Sequence, residues 1–303
     1  MTSEPIRDIR LFEVGPRDGL QNESARVEVD AKVELIHRLV EAGVRDIEIG
    51  SFVHPEWVPQ MADTDEVARR IDRRDGVRYW GLVPNLRGLE RALEVDIDHV
   101  ATFLSASETH NQKNINRSVE ESLEALGEVY ERADEAGCTT RGYISTAFGC
   151  PYEGSVDFGR VMAIADRLYE YGADLIVLGD TVGAGTPPSV RDACVELFDS
   201  FGTDRVAFHF HDTQGLGLAN AFVAQEAGAE IFDTSLGATG GCPYAAGAAG
   251  NIGTEDFLHM LDSMGLSAGV DREGILETTG WLEESTDIVP PSDYYTYLKA
   301  KGN

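Results

Sequence analysis

The chain has 303 residues, 42% of them hydrophobic and 8% aromatic, which is enough for one large core or two small ones, and 25 basic against 53 acidic residues give a net charge of −28. So acidic a surface repels nucleic acid and anionic membranes, and no apolar run approaches the roughly 20 residues that cross a bilayer, so both kinds of partner are excluded. Four lysines (32, 113, 299 and 301) stand among a much larger number of arginines, a balance that points to adaptation to high salt. Met1 to Arg10 is charged throughout, with neither a secretory nor a transit pattern, and Cys138, Cys150, Cys194 and Cys242 form no CxxC pair. A reduced, cytoplasmic compartment is expected.

Short apolar runs rich in β-branched residues recur every 25 to 40 residues, at 9–14, 46–49, 78–83, 99–104, 140–145, 175–178, 206–210 and 230–234. Each gap holds an amphipathic stretch long enough for a helix. Asp30, Ser118 with Glu121, and Thr254 with Glu255 and Asp256 are read as helix starts, and Gly43, Gly137, Gly172 and Gly228 as helix ends. Alternating strands and helices imply an α/β protein with a parallel sheet, and eight repeats favour closure into a (β/α)₈ TIM barrel over an open doubly wound sheet. Residues 1–303 read as a single catalytic barrel domain, with 271–303 a C-terminal helical extension: a helix over 272–284, a Pro290-Pro291 break and a short aromatic segment.

In such a barrel the reacting groups lie at the carboxyl ends of the strands. The first strand runs into Glu13-Val-Gly-Pro-Arg17-Asp18-Gly-Leu-Gln21-Asn22-Glu23, the second ends at Glu48, and the sixth reaches Gly179-Asp180-Thr181. The seventh carries His209-Phe-His211-Asp212-Thr213, and the eighth leads into Gly240-Gly-Cys242-Pro-Tyr and on to Asn251. His209 and His211, two apart on a strand, face the same side and can share one metal ion, whereas a lone inward histidine is more often a core residue. Asp18 from the first strand, beside the eighth once the barrel closes, makes the donor set mixed nitrogen and oxygen. That set suits Mg²⁺ or Mn²⁺, with Zn²⁺ and Co²⁺ left open by the chemistry. An Arg-Asp dipeptide is ordinarily a surface pair, but Arg17 follows a strand end and a Gly-Pro turn, where it could stabilise charge growing on a carbonyl oxygen. Cys242 sits in a glycine-rich loop, a poor setting for a core cysteine, and reads as mobile rather than packed.

Together these motifs resemble the hydroxymethylglutaryl-CoA lyases, within the wider group of metal-dependent barrel lyases and synthases. The resemblance runs from about Phe12 to Leu261, with Trp57-Val-Pro-Gln-Met61, Gln112-Lys-Asn-Ile-Asn116, Gly149-Cys-Pro-Tyr-Glu-Gly154 and Gly240-Gly-Cys-Pro-Tyr-Ala245 among its specific parts. It implies metal binding by Asp18, His209, His211 and Asn251, carbonyl polarisation by Arg17, support from Glu48 and Asp180, and Cys242 on a loop over the substrate. The implied reaction is retro-Claisen cleavage of 3-hydroxy-3-methylglutaryl-CoA, with Mg²⁺ or Mn²⁺ as cofactor, an acyl-CoA thioester as partner and a homodimer as assembly. The proton could be relayed by His209, Asp18, Asp180 or Cys242. Lys113 and Arg117 are expected to meet CoA phosphates, with Gln21 also on the cofactor side. Departures are Gln214 in place of an aromatic, Val177 in place of a polar residue, altered surroundings of Glu48, and a final segment that does not align. They leave open a lyase for another branched thioester such as citramalyl-CoA. A Claisen-type synthase and a catalytically silent barrel are the more distant alternatives.

Overall fold

The computed structural model describes residues 9–241 and 249–302. Eight parallel strands, β1 (Arg10–Glu13), β2 (Asp46–Ser51), β3 (Arg78–Leu82), β4 (His99–Ser105), β5 (Thr139–Ser145), β6 (Leu175–Asp180), β7 (Val206–Phe210) and β8 (Ile231–Thr234), close in sequence order into one barrel. The seam is the pairing of β1 with β8, from Arg10 opposite Ile231 to Glu13 opposite Thr234. All eight predicted strands are present, with ends displaced by at most two residues, and the barrel expected from eight strand–helix repeats is found.

Around it lie α1 (Val29–Glu41), α2 (Thr64–Arg70), α3 (Leu86–Leu93), α4 (Glu108–Ile115), α5 (Val119–Glu135), α6 (Phe158–Glu170), α7 (Pro187–Phe201), α8 (Gly217–Glu226) and α9 (Thr254–Met264). Two more helices follow, α10 (Arg272–Ser285) and α11 (Asp293–Lys301). Ser118 and Glu121 form the anticipated reciprocal cap of α5. Gly43, Gly137, Gly172 and Gly228 all have φ between 72° and 112°, a conformation that side-chain-bearing residues adopt at a cost. Two expected helix starts differ. Asp30 lies inside the first turn of α1 rather than capping it, and Gly253 occupies the cap of α9 while the Thr254 hydroxyl donates to Glu13 Oε2 at 2.6 Å. A buried carboxylate without a partner is costly, so Thr254 serves Glu13 instead of its own helix. The aromatic tail that reads as a short segment is a helix capped by Ser292.

Because side chains alternate along a strand, each strand divides its residues between two cores. One face packs against the helices. The other fills the barrel with Phe12, Trp80, Leu82, Ala101, Leu175, Val177, Ala207 and Ile231. Into this apolar filling the same alternation also directs Glu48, Arg141, Tyr143, His209 and Asp233, all buried. Among the described residues, no helix is long and apolar enough to cross a membrane.

Candidate metal centre and active site

Val14, which follows β1, accepts bonds from the amides of Arg17, Asp18 and Gly19, winding Gly15–Gly19 into a single π-helical turn. The turn is fastened from below by Glu13, whose Oε1 accepts from Gly15 N at 2.7 Å and from Leu236 N at 2.8 Å. Burial raises the Glu13 carboxyl to about 7 despite these bonds. The turn carries Arg17 inward and Asp18 toward β7 and β8.

Arg17 is held on three sides. Its Nε donates to Glu48 Oε2 at 2.6 Å, another nitrogen pairs with Asp18, and a third lies 3.3 Å from the Tyr143 hydroxyl. Burial opposes the charge of Arg17, but Asp18 and Glu48 outweigh it and keep the guanidinium protonated. Burial likewise works against an ionised Asp18, yet Arg17 and the two imidazoles hold its carboxyl well below the usual range. It is therefore a carboxylate at neutral pH, able to ligate a cation.

His209 is the fourth residue of β7, and His211 follows the strand, tied by a backbone bridge to Asn251. Their Nε2 atoms stand 3.0 Å apart, and His209 Nε2 is 3.8 Å from Asp18 Oδ2. Burial and the neighbouring His209 lower His211 to about 3, so its imidazole is neutral and its lone pair free for a cation. Asn251 Nδ2 donates to Asp18 Oδ2 and to Thr239 O, both at 3.0 Å, while its buried Oδ1 has no hydrogen-bond partner among the described residues.

These observations fit a divalent ion. Donor atoms of Asp18, His209 and His211 lie within 4.8 Å of one another. Two ligands each about 2.1 Å from an octahedral ion and at right angles would be about 3 Å apart, the spacing found between the imidazoles. The uncommitted Asn251 oxygen supplies a further hard donor. Charge balance agrees: Arg17 and Arg141 face the carboxylates of Asp18, Glu48 and Asp233, all little exposed or buried, leaving one net negative charge for a cation to reverse.

Asp180, at the end of β6, accepts from Ala184 N at 2.8 Å and Gly185 N at 3.0 Å, fixing the loop that follows, and burial raises its carboxyl to about 6. Beyond the ends of β5, β6 and β7 a cavity of about 570 Å³ opens between Phe148, Cys150, Val182, Thr213 and Gln214. Lys113 is exposed in the last turn of α4, its Nζ 3.8 Å from the centre of the Tyr152 ring, and Arg117 is exposed just beyond. Gln21 is half-buried after the Arg17–Asp18 turn. Cys242, and the mobility expected of its loop, lie outside the described residues.

Sequence reasoning missed three residues at the heart of this arrangement. The Tyr143 hydroxyl is 2.7 Å from both Glu48 Oε1 and Asp233 Oδ2, Arg141 donates to Asp233 Oδ1 at 2.5 Å, and Asp233 Oδ2 is 3.1 Å from His209 Nδ1. Arg141 and Tyr143 show the same two-residue spacing within a strand as the histidines, and that spacing was the available signal.

The family model described as HMGL-like matches residues 8–281. Hydroxymethylglutaryl-CoA lyase YngG of Bacillus subtilis is 46% identical over 286 residues, 94% of this chain and 96% of that protein. The crystal structure of the Bacillus subtilis HMG-CoA lyase superposes with a TM-score of 0.95 at 45% identity, covering 98% of this chain and 100% of that one. An HMG-CoA lyase from Acinetobacter baumannii, in complex with coenzyme A and 3-methylmalate, gives 0.92 at 35% identity over 96% of this chain and 95% of the other. Matched over nearly its whole length in sequence and in architecture, the chain belongs to the HMGL-like family.

Proposed function

We propose that this chain is a carbon–carbon lyase that cleaves 3-hydroxy-3-methylglutaryl-CoA into acetoacetate and acetyl-CoA with Mg²⁺ or Mn²⁺ as cofactor. The observation that carries the reading is the cluster of Asp18, His209 and His211 beside the buried Arg17 at the carboxyl end of the barrel. The similarity to HMG-CoA lyases supports the choice of substrate.

Asp18, His209, His211 and the Asn251 oxygen would hold the ion, which when bound orients the substrate oxygens and lowers the pKa of the C3 hydroxyl. A base removes the hydroxyl proton, the oxygen forms the ketone of acetoacetate, and the C2–C3 bond breaks with its electron pair passing to the thioester as an enolate. Arg17, immobilised by Glu48 and Asp18, offers its positive charge to the enolate oxygen. Protonation at carbon completes acetyl-CoA. Asp180, with a carboxyl raised to about 6, is half protonated near pH 6 and joins His209, Asp18 and Cys242 as a candidate for moving the proton. Lys113, Arg117 and Gln21 are assigned to the CoA side, and the exposure of Lys113 and Arg117 supports phosphate contact.

The test is release of acetoacetate and acetyl-CoA from 3-hydroxy-3-methylglutaryl-CoA in concentrated KCl, with Mg²⁺ or Mn²⁺ and again with EDTA. Ion-dependent release is expected; none from folded, ion-loaded protein would overturn the reading. Gln214 on the cavity wall favours one alternative, a related branched thioester such as citramalyl-CoA, and the same assay compares the two. We assign a cytoplasmic homodimer, with a solution mass twice the 33.0 kDa of the chain expected by light scattering. The free thiols of Cys138, Cys150 and Cys194 support a reduced compartment.

A further inference from the structure

Asp233 lies inside the barrel on β8, 1% exposed and below the ligand cluster. Its Oδ1 accepts from Arg141 at 2.5 Å, and its Oδ2 is 3.1 Å from His209 Nδ1 and 2.7 Å from the Tyr143 hydroxyl. Arg141 is wholly buried, with its guanidinium carbon 4.0 Å from the centre of the Phe12 ring and 4.8 Å from that of Tyr143. Packed in this way it cannot follow Asp233 elsewhere, and it anchors the carboxylate.

The consequence for the imidazoles follows from donor and acceptor arithmetic. A carboxylate only accepts, so the His209 nitrogen facing Asp233 is the one that carries hydrogen. His209 Nε2 is then bare and presents its lone pair to the centre. His211 Nδ1, by contrast, is buried without a hydrogen-bond partner among the described residues.

We propose that Asp233, anchored by Arg141, is the positioning residue that holds His209 ready to ligate. Outer carboxylates of this kind fix the ring and raise its basicity as a ligand. The two histidines are thus unequal: one is prepared by the barrel interior, and the other has no such partner among the described residues. The inference rests on the metal-dependent reading above and assigns within it a residue that touches no substrate.

Two measurements on the full chain test it. The first is the nitrogen spectrum of ¹⁵N-histidine-labelled, ion-free protein at about pH 8, with signals assigned through His209→Gln and His211→Gln. His209 is expected to carry its proton on Nδ1 both without and with Mg²⁺. A proton on His209 Nε2 in the ion-free chain would overturn the assignment. The second is Mn²⁺ affinity by calorimetry or spin resonance. Asp233→Asn should weaken binding by about 10- to 100-fold, whereas Leu89→Ala, a change on α3 in the core outside the barrel filling, should leave it unchanged. A folded Asp233→Asn protein with wild-type affinity, or equal weakening in Leu89→Ala, sinks the proposal. If Asp233→Asn fails to fold, the wild-type spectrum decides alone. Should the wild type bind neither ion, the metal reading fails, and the ion-free spectrum still decides whether Asp233 sets the His209 tautomer.

Discussion

Arg17 draws on three partners at once, and such restraint matters most where charge appears only in the transition state. Arg17→Gln should therefore lower kcat by about 100- to 1,000-fold with little change in KM; steady-state kinetics that showed the reverse split would reassign Arg17 to substrate binding. His209→Ala should abolish ion-dependent cleavage while circular dichroism and Tm stay near wild type, and retained activity would remove His209 from the centre. Arg17, Asp18, His209 and His211 were legible because each stands beside a chemically related partner at a strand end. Arg141, Tyr143 and Asp233 were not. The carboxylate that Arg141 meets lies 92 residues away in sequence, and only closure of the barrel brings the two together.

At the scale of elements, the turns after β1 and β8 are welded by buried carboxylates. Glu13 binds the amides of both turns and the Thr254 hydroxyl. Its pKa rises from 4.5 to about 7 in the fold, so the folded chain holds this proton more tightly than the unfolded one. Stability is consequently highest below pH 4.5 as far as this group is concerned and is lost as pH climbs through 7, a cost on the order of 3 kcal/mol once ionised. Glu13→Gln preserves most of the bonding and should flatten the fall in Tm between about pH 5 and pH 8; calorimetry across that range showing parallel curves would refute it. Gly240 has a φ of +92°, and a methyl group there would lie 2.6 Å from Asn251 Nδ2 and 2.9 Å from Asp18 O. Gly240→Ala should weaken both Mn²⁺ binding and thermal stability, and an unchanged affinity would show that the ligands tolerate displacement. Helix-end glycines were readable because their role is local. The service of Thr254 to Glu13 was not, since the two residues meet only across the β1–β8 seam.

The acidic surface belongs to the whole molecule. Lys32 is buried against Asp63, and the exposed Arg70 and the half-buried Arg132 and Arg160 already sit beside carboxylates, so most of the net charge of −28 faces solvent uncompensated. Screening shortens from about 10 Å at 0.1 M salt to about 3 Å at 1 M. Tm should accordingly rise between about 0.1 and 2 M KCl, at roughly 2 °C or more per kcal/mol gained; a flat profile would argue against salt adaptation. Composition made that charge plain, but not its distribution over the surface.

Asp18 is made early in the chain, while His209, His211 and Asn251 are made late, and the pairing of β1 with β8 is what joins these two parties. During synthesis the early half-site waits for nearly the entire polypeptide, and a molecule with an open seam owns no centre at all. An ion that recognises the joined set therefore acts as a clasp, inspecting finished barrels and ignoring incomplete ones. At a free concentration about 100 times its Kd it would contribute about 2.7 kcal/mol to the closed form alone, so the supply of a small cation would govern how long the ring stays shut.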